Sequence, residues 1–187
     1  MTETLKKYNT IGCCGIDCGL CPRFHTKGDS VCPGCGSKDF KEKHPSCGFV
    51  TCCLIKNGLE VCSDCNDYPC KRFDSERKGY DSFVTHKKVF HNLEYIKNNG
   101  IKSFIEQQNK RKGILIDFLS KYDNGRSKSF YCISCALLPL DKLKESLLFA
   151  YQMDNSKDIK EKNKLLKSKL INISENLGIE LKLNKKK

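Results

Sequence analysis

Three pairs of cysteines in this chain are separated by two residues, a spacing typical of metal-binding loops. The pairs are Cys18/Cys21, Cys32/Cys35 and Cys62/Cys65. A tight loop of this length directs both sulfurs toward one ion. Twelve of the fourteen cysteines lie between Cys13 and Cys70, which is enough sulfur for two or three four-coordinate sites. The residue types and their spacing therefore predict metal chemistry in this stretch.

Eleven cysteines are the candidate metal ligands. They are Cys14, Cys18, Cys21, Cys32, Cys35, Cys47, Cys52, Cys53, Cys62, Cys65 and Cys70. Two of the first three, together with the two sulfurs of the pair that follows, make one candidate tetrad. The last three make a second tetrad with one of the three cysteines between residues 47 and 53. The role of Cys13 and the choice between the neighbours Cys52 and Cys53 stay open at this point.

The N-terminal part of the chain has few apolar side chains to bury. Apart from cysteine, 17 of the first 74 residues are apolar, against 41 of the last 113. Burial alone would not offset the chain entropy of such a segment, so metal ions or disulfides must contribute. Residues 1–12 contain no apolar run of the kind that a signal peptide needs. We therefore expect a cytoplasmic protein, in which thiols stay reduced and cysteine clusters bind metal.

Zinc is the expected metal, as two or three ions in closed, all-cysteine sites of the structural type. An iron–sulfur cluster with a redox or enzymatic role is the alternative, because tetrahedral thiolate sites suit both metals. The spacing of Cys14, Cys18 and Cys21 is that of radical S-adenosylmethionine enzymes, but the chain lacks the alternating strand and helix patterns that accompany it. Walker, G-x-G-x-x-G, H-E-x-x-H and G-x-S-x-G motifs are also absent from the sequence, which argues against catalysis.

The cysteine-rich stretch resembles domain of unknown function 3795, a group of cysteine-rich bacterial and archaeal proteins. The resemblance covers residues 13–73 and is carried by CGIDCGLCP from Cys14, CPGC from Cys32 and CCLIKNGLEVCSDCNDYPCKRF from Cys52. It implies zinc binding and assigns no activity. Cys47 lies one residue out of the family's spacing. By resemblance, the remaining family cysteine positions fall on Cys14, Cys18, Cys21, Cys32, Cys35, Cys53, Cys62, Cys65 and Cys70.

Beyond residue 75 the sequence has the apolar periodicity of helices. Helices are predicted over about 81–100, over 101–122, from Ser127, from Pro139, and over 156–177. Asp81 or Ser82 is the predicted first N-cap, and Gly100 the first break. The final IELKL alternates as in a short strand. In the third helix Cys132 and Cys135 lie among apolar residues, and we expect them to pack in the core rather than to bind metal.

The predicted fold is mainly α, with an irregular cysteine-rich metal-binding N-terminal region packed on a small C-terminal helical bundle. The predicted boundaries are residues 1–74, 75–183 and a lysine tail at 184–187. Charge follows the same division: residues 1–74 carry a formal +1 and the remainder +11. A basic surface suits a protein or nucleic-acid partner, although the sequence lacks the basic stripe interleaved with aromatics that nucleic-acid binding favours. No apolar run is long enough to span a membrane.

Overall fold

The computed structural model describes residues 5–73, 80–154 and 156–185. Helices are its regular elements, and none of these described residues lies in a strand. The predicted fold class is confirmed: the protein is mainly α, with a cysteine-rich N-terminal region and a helical C-terminal part. The predicted strand over IELKL is wrong, because residues 179–183 have no second strand in the described ranges with which to pair.

Helical segments in the cysteine-rich region are short. They are Cys18–Leu20, α1 at Phe40–Lys43, then Val50–Lys56, Cys62–Asp64 and Lys71–Phe73. The third of these, Val50–Lys56, has π-helical hydrogen bonding and is capped by Asn57. Gly58 follows the cap with a φ angle of 64°, and its N–H donates to the Leu54 carbonyl at 2.9 Å.

The long helix α2 spans Val89–Lys121 and is broken at Gly100, where φ is 80° and ψ is 153°. The predicted break between two helices is therefore confirmed. The predicted N-cap at Asp81 or Ser82 is wrong, because the helix begins eight residues after Asp81. The Asp81 carboxylate instead accepts hydrogen bonds from the backbone N–H groups of His86 at 2.7 Å and Asn184 at 2.8 Å. The hydrogen bond from the distant Asn184 therefore occupies the Asp81 carboxylate that would otherwise be available to cap a helix.

The chain divides into two compact units, Met1–Gln108 with Leu183–Lys187, and Asn109–Lys182. The first part of α2 belongs to the first unit because its apolar residues pack on the cysteine-rich region. The buried cluster that results consists of Ile11, Val61, Leu93, Ile96 and Phe104. Residues 74–79, where the sequence predicted a boundary, lie outside the described residues, so that boundary stays a prediction. In the predicted lysine tail, Asn184 is held by Asp81, whereas residues 186–187 are outside the described ranges.

The second unit contains the end of α2 and three further helices. These are α3 at Lys128–Leu137, α4 at Leu140–Tyr151 and α5 at Ile159–Asn176. The predicted starts at Ser127 and Pro139 are confirmed, since each directly precedes a helix. α5 is slightly shorter than predicted, because the Asp158 carboxylate caps it by accepting from the Glu161 N–H at 2.8 Å.

Cys132 and Cys135 lie in α3 and are 1% and 0% exposed, respectively. Their burial agrees with the predicted role in core packing. The surrounding core of this unit is aliphatic and aromatic. Its most buried members are Leu115, Phe118, Tyr131, Leu138, Leu143, Leu166 and Leu170.

Candidate metal centre

Cysteine side chains make up half of a small core in the N-terminal unit. The six buried residues of this cluster are Cys13, Cys35, Phe40, Val50, Cys53 and Leu54. Three further cysteines, Cys18, Cys47 and Cys62, are partly buried and pack against it. The fold therefore gathers six sulfurs from separate segments into one place, where a protein of this size would ordinarily place aliphatic groups.

Four of these sulfurs follow one another in a chain of thiol contacts. The Cys35 thiol donates to Cys13 Sγ at 3.9 Å. Cys13 lies close to Cys53, and Cys53 to Cys62, near enough for each of these thiols to affect its neighbour's pKa, while the Cys53 thiol itself donates to the Leu59 carbonyl at 3.4 Å. We call these four residues the thiol chain. Its members are far apart in sequence, so only the tertiary fold brings them together.

Backbone hydrogen bonds hold the thiol chain in place. The Cys62 N–H donates to the Cys13 carbonyl at 2.8 Å, and the Cys13 N–H points at Cys35 Sγ at 3.4 Å. The Cys35 N–H donates to the Asn9 carbonyl at 2.8 Å. Gly34 permits this approach, because its φ is 93° and a Cβ there would lie 2.5 Å from the same carbonyl oxygen.

The buried thiols are poor acids in this environment. The pKa of Cys13 is lowered by the thiol of Cys35 but raised by the thiol of Cys53 and by burial. The net result is a pKa of about 12. Burial raises the pKa of Cys14 to about 12. The thiol of Cys13 lowers the pKa of Cys53, but the thiol of Cys62 and burial raise it, and the net result is again about 12. These groups are neutral near pH 7 unless a cation compensates the thiolates.

A second set of sulfurs surrounds the first loop. Burial raises the pKa of Cys18 well above its usual value, and the nearby sulfurs of Cys35, Cys14 and Cys21 add to the effect. Burial also raises the pKa of Cys21, and the nearby Cys32 sulfur adds to the increase. The Cys32 N–H donates to the Arg23 carbonyl at 3.0 Å, which joins the second cysteine pair to the loop of the first.

The Cys18/Cys21 and Cys62/Cys65 pairs each form the same type of backbone turn. The N–H of Cys21 donates to the carbonyl of Cys18 at 3.1 Å, and the N–H of Cys65 does the same to Cys62 at 3.1 Å. The first loop is also fixed by Gln108 of α2, whose Nε2 donates to the Thr10 carbonyl at 2.8 Å and to Asp17 Oδ1 at 2.7 Å. The Asp17 carboxylate is therefore a hydrogen-bond acceptor for this buried amide.

The structure brings some predicted ligands together and leaves others apart. Cys52, Cys65 and Cys70 are half-buried and lie outside the core cluster. Within residues 5–73, 80–154 and 156–185, no three His, Cys, Asp or Glu side chains are already arranged around a single point as metal ligands. The thiol chain is thus a row of pairwise contacts and not a closed cage, and the ligand assignment stays a prediction.

Cys13 is the residue that sequence reasoning did not assign. It is 0% exposed and central in the thiol chain, whereas its neighbour Cys14 is half-buried. Spacing did not reveal this, because Cys13 packs against Cys35 and Cys53, which lie 22 and 40 residues further along the chain. Both histidines of the cysteine-rich region lie against backbone carbonyls: His25 Nε2 is 2.8 Å from the Gly19 oxygen, and His44 Nδ1 is 2.8 Å from the Pro45 oxygen.

Comparison with known proteins shows a family model that is similar to the cysteine-rich region. Residues 10–75 match the model of the family described as protein of unknown function, DUF3795. The resemblance inferred from the cysteine motifs is therefore confirmed over this region. No curated protein and no solved structure matches the chain. Among the described residues, no helix is both long and apolar enough to cross a bilayer.

Proposed function

We propose that the cysteine-rich region binds two or three zinc ions through thiolates and that these ions are structural. The observation that carries the proposal is the composition of the N-terminal core, where three of the six buried residues in one cluster are cysteines. A core of thiols contributes less burial than one of leucines, whereas sulfur–metal bonds supply folding free energy directly. Bound zinc would crosslink segments whose regular structure is limited to short turns.

The donor set suits zinc. In a tetrahedral thiolate site with zinc–sulfur bonds of about 2.3 Å, neighbouring sulfurs lie about 3.8 Å apart. The Sγ atoms of Cys13 and Cys35 lie 3.9 Å apart. All fourteen cysteines are free thiols, and we propose the cytoplasm as the compartment because thiols stay reduced there.

All-cysteine zinc sites are closed and carry no reacting water, so the function that follows is binding rather than catalysis. We propose an interaction module with an acidic partner, either a protein or a nucleic acid, because the formal net charge is +12 before any thiolate is counted. Salt distinguishes the two: nucleic-acid affinity should fall steeply between about 50 and 200 mM salt. An affinity for single- or double-stranded nucleic acid that is absent or insensitive to salt would exclude that partner class.

An iron–sulfur protein is the second candidate. It is favoured by the run Cys14, Cys18 and Cys21, whose sulfurs lie near enough for the thiolates of Cys14 and Cys21 to raise the pKa of Cys18 after burial has done so. Cysteine thiolates hold such clusters as well as zinc. The two candidates differ in colour and in metal content.

The test is elemental analysis and visible absorption of the full chain purified without oxygen. The proposal predicts colourless protein with about two or three zinc atoms per chain. Brown protein with charge-transfer bands and bound iron would replace it with the second candidate, and a metal content well below one atom per chain would refute both. Cys135→Ala is the matched control, because this buried cysteine lies in α3 and its loss should leave the metal count unchanged.

A further inference from the structure

The lysines of α5 lie on two flanks of the helix, and the two flanks differ in how their charge is balanced. On the flank that faces α4, Lys169 Nζ lies 2.6 Å from the Glu145 carboxylate. On the flank that faces α3, Lys160, Lys164 and Lys167 form no ion pair with a carboxylate of the described residues. Their spacing of four and three residues places these lysines on one side of the helix. We call the three residues the lysine stripe.

Two basic residues beside α3 extend this surface. Asn163 Nδ2 in α5 donates to Ser127 Oγ at 3.0 Å, which holds the start of α3 against the turn of α5 that carries the stripe. Arg126 and Lys128 flank Ser127 in the sequence, so their backbones lie at the same contact. Within the part of the chain that the structure describes, neither forms an ion pair. The basic surface therefore draws on two segments.

The carboxylates closest to this surface in the sequence are engaged by other groups. Asp123 Oδ1 accepts from the Ser127 N–H at 2.8 Å. Asp158 caps α5 by accepting from the Glu161 N–H at 2.8 Å, and the Glu161 carboxylate lies 3.8 Å from Lys157 Nζ. The surrounding unit keeps an excess of positive charge, because residues 109–182 contain fifteen lysines and arginines against nine aspartates and glutamates.

We propose that the lysine stripe, together with Arg126 and Lys128, binds the phosphate backbone of a nucleic-acid duplex. The inference rests on the proposed role as an interaction module and names its surface and its partner. Lys160 and Lys167 are seven residues apart, which is about 10 Å along a helix axis. Phosphates of one strand follow one another every ~3.4 Å along a duplex, so the stripe spans about three of them.

The residue types of the surface favour phosphate over a protein partner. Protein interfaces are enriched in aromatic residues, Met and Arg and are depleted in Lys. A lysine ammonium is a compact, strongly hydrated charge that binds phosphate as a point charge. Contacts with phosphate carry no sequence information, so we expect binding to be independent of the base sequence.

The aromatic side chains of this unit favour a duplex over a single strand. Single strands are usually held by aromatic rings on which the bases stack. Phe130, beside the stripe, is half-buried, and Lys167 Nζ already lies 5.1 Å from the centre of its ring. The exposed ring of Tyr151 is bound elsewhere, since its hydroxyl donates to Asp117 at 2.8 Å and Lys121 lies over its face. The stripe therefore presents charge without a stacking platform.

The assignment is tested by fluorescence anisotropy of a labelled DNA duplex of mixed sequence, titrated with the full-length protein at several salt concentrations. The triple variant Lys160→Gln, Lys164→Gln, Lys167→Gln should bind about tenfold more weakly or worse at low salt, because three phosphate contacts are lost. The slope of log affinity against log salt should become shallower by about three. A duplex of a different sequence should give the same values.

A second triple variant controls for net charge. Lys142→Gln, Lys144→Gln, Lys169→Gln removes the same number of charges from α4 and from the flank of α5 that faces it, and should keep the wild-type slope to within about one. An equal loss of affinity in both triple variants would overturn the assignment to the stripe, while leaving nucleic-acid binding itself in place.

A charge-preserving variant covers the case in which the glutamine substitutions disturb the fold. Lys160→Arg, Lys164→Arg, Lys167→Arg keeps all three charges and should keep the affinity and the salt slope of the wild type. Circular dichroism compares the helix content of all variants. A loss of affinity in the folded arginine variant equal to that of the glutamine variant would overturn the role of charge at the stripe.

Polyglutamate separates a failure of this inference from a failure of the proposed function. A wild type that binds polyglutamate but no duplex would overturn the choice of nucleic acid and leave an acidic protein as the partner. A wild type that binds neither would refute the acidic partner as well. Tighter binding of the single strand than of the duplex would overturn the choice of a duplex.

Discussion

The cysteine-rich region and the helical unit of residues 109–182 differ in the length of their helices and in the side chains that they bury. In the first, helical segments are at most seven residues long and half of a buried cluster is cysteine. In the second, α5 alone has 18 residues, and the most buried side chains are leucines and aromatics. Backbone hydrogen bonds within a helix are local and come with each added residue. A region of short turns has few of them, and the proposed zinc ions would stabilise it by linking its segments.

Each region also buries one polar cluster, and the two clusters differ in how they are satisfied. In the helical unit, Asn163 Nδ2 donates to the Tyr122 carbonyl at 2.7 Å and lies 2.9 Å from the Tyr131 hydroxyl. These are hydrogen bonds of ordinary length between oxygen and nitrogen atoms, and they satisfy the buried polar groups. The thiol chain has only weak sulfhydryl donors, such as the 3.9 Å contact between Cys35 and Cys13. The helical cluster therefore satisfies its polar groups with protein partners, whereas the proposed zinc would provide a stronger partner for the sulfur cluster.

The largest expected effect is the loss of order in one region on removal of zinc. Full-length protein treated with a strong chelator under reducing conditions should lose amide protection over residues 13–70, because the crosslinks disappear. Residues 109–182 should keep theirs, since their core is mainly aliphatic and aromatic and we expect its two cysteines, Cys132 and Cys135, to pack rather than to bind metal. Hydrogen exchange with mass spectrometry measures both in one sample. The control is the same chelator saturated with zinc beforehand, and unchanged protection over 13–70 would break the comparison.

A smaller effect is expected from a cavity in the helical core. Leu166→Ala removes a side chain that is 0% exposed and should cost about 2–5 kcal/mol of unfolding free energy. The adjacent Leu165 is 38% exposed, and Leu165→Ala should cost less than about 1 kcal/mol. Urea denaturation followed by circular dichroism measures both. Zinc content should stay unchanged in either variant; a loss of zinc in Leu166→Ala would contradict the independence of the two kinds of core.

The smallest effect concerns an ion pair between α4 and α5. Glu145 Oε1 lies 2.6 Å from Lys169 Nζ, and Oε2 lies 2.9 Å from Lys142 Nζ. The hydrogen bond from Lys169, followed by that from Lys142, lowers the pKa of Glu145 from 4.5 to about 2. Because the folded-state pKa is depressed, the stabilisation is present above the unfolded value and is lost as pH falls toward the folded one. Its size is small, since the group is exposed to solvent.

Glu145→Gln isolates this contribution. The wild type should melt slightly higher than Glu145→Gln at about pH 6, and the difference in Tm should shrink as the pH is lowered toward about 3. Differential scanning calorimetry at several pH values measures it. A difference in Tm that is constant over this range would show that the carboxylate's charge does not stabilise the helical unit.

Where the determining contacts are local, sequence reasoning was accurate. Gly100 breaks a helix as predicted, because glycine adopts a left-handed φ without the steric cost that a side chain would add. Ser127 and Pro139 precede helices for similar local reasons. The start of α2 was predicted wrongly because Asp81 is engaged by Asn184, which lies 103 residues further along the chain. No local pattern could have revealed that competition.

The sequence by itself determined that this protein has a sulfur-rich N-terminal region and a helical remainder, because residue composition and apolar periodicity can be read directly from the order of the residues. Only the tertiary structure decided which sulfurs meet, since the spacing selected Cys14 whereas the fold buries Cys13 beside Cys35 and Cys53. The Cys62 N–H also donates to the Cys13 carbonyl, which joins two segments that lie far apart in the sequence. Contacts between residues far apart in sequence depend on the packing of whole segments, and spacing along the chain does not encode that packing.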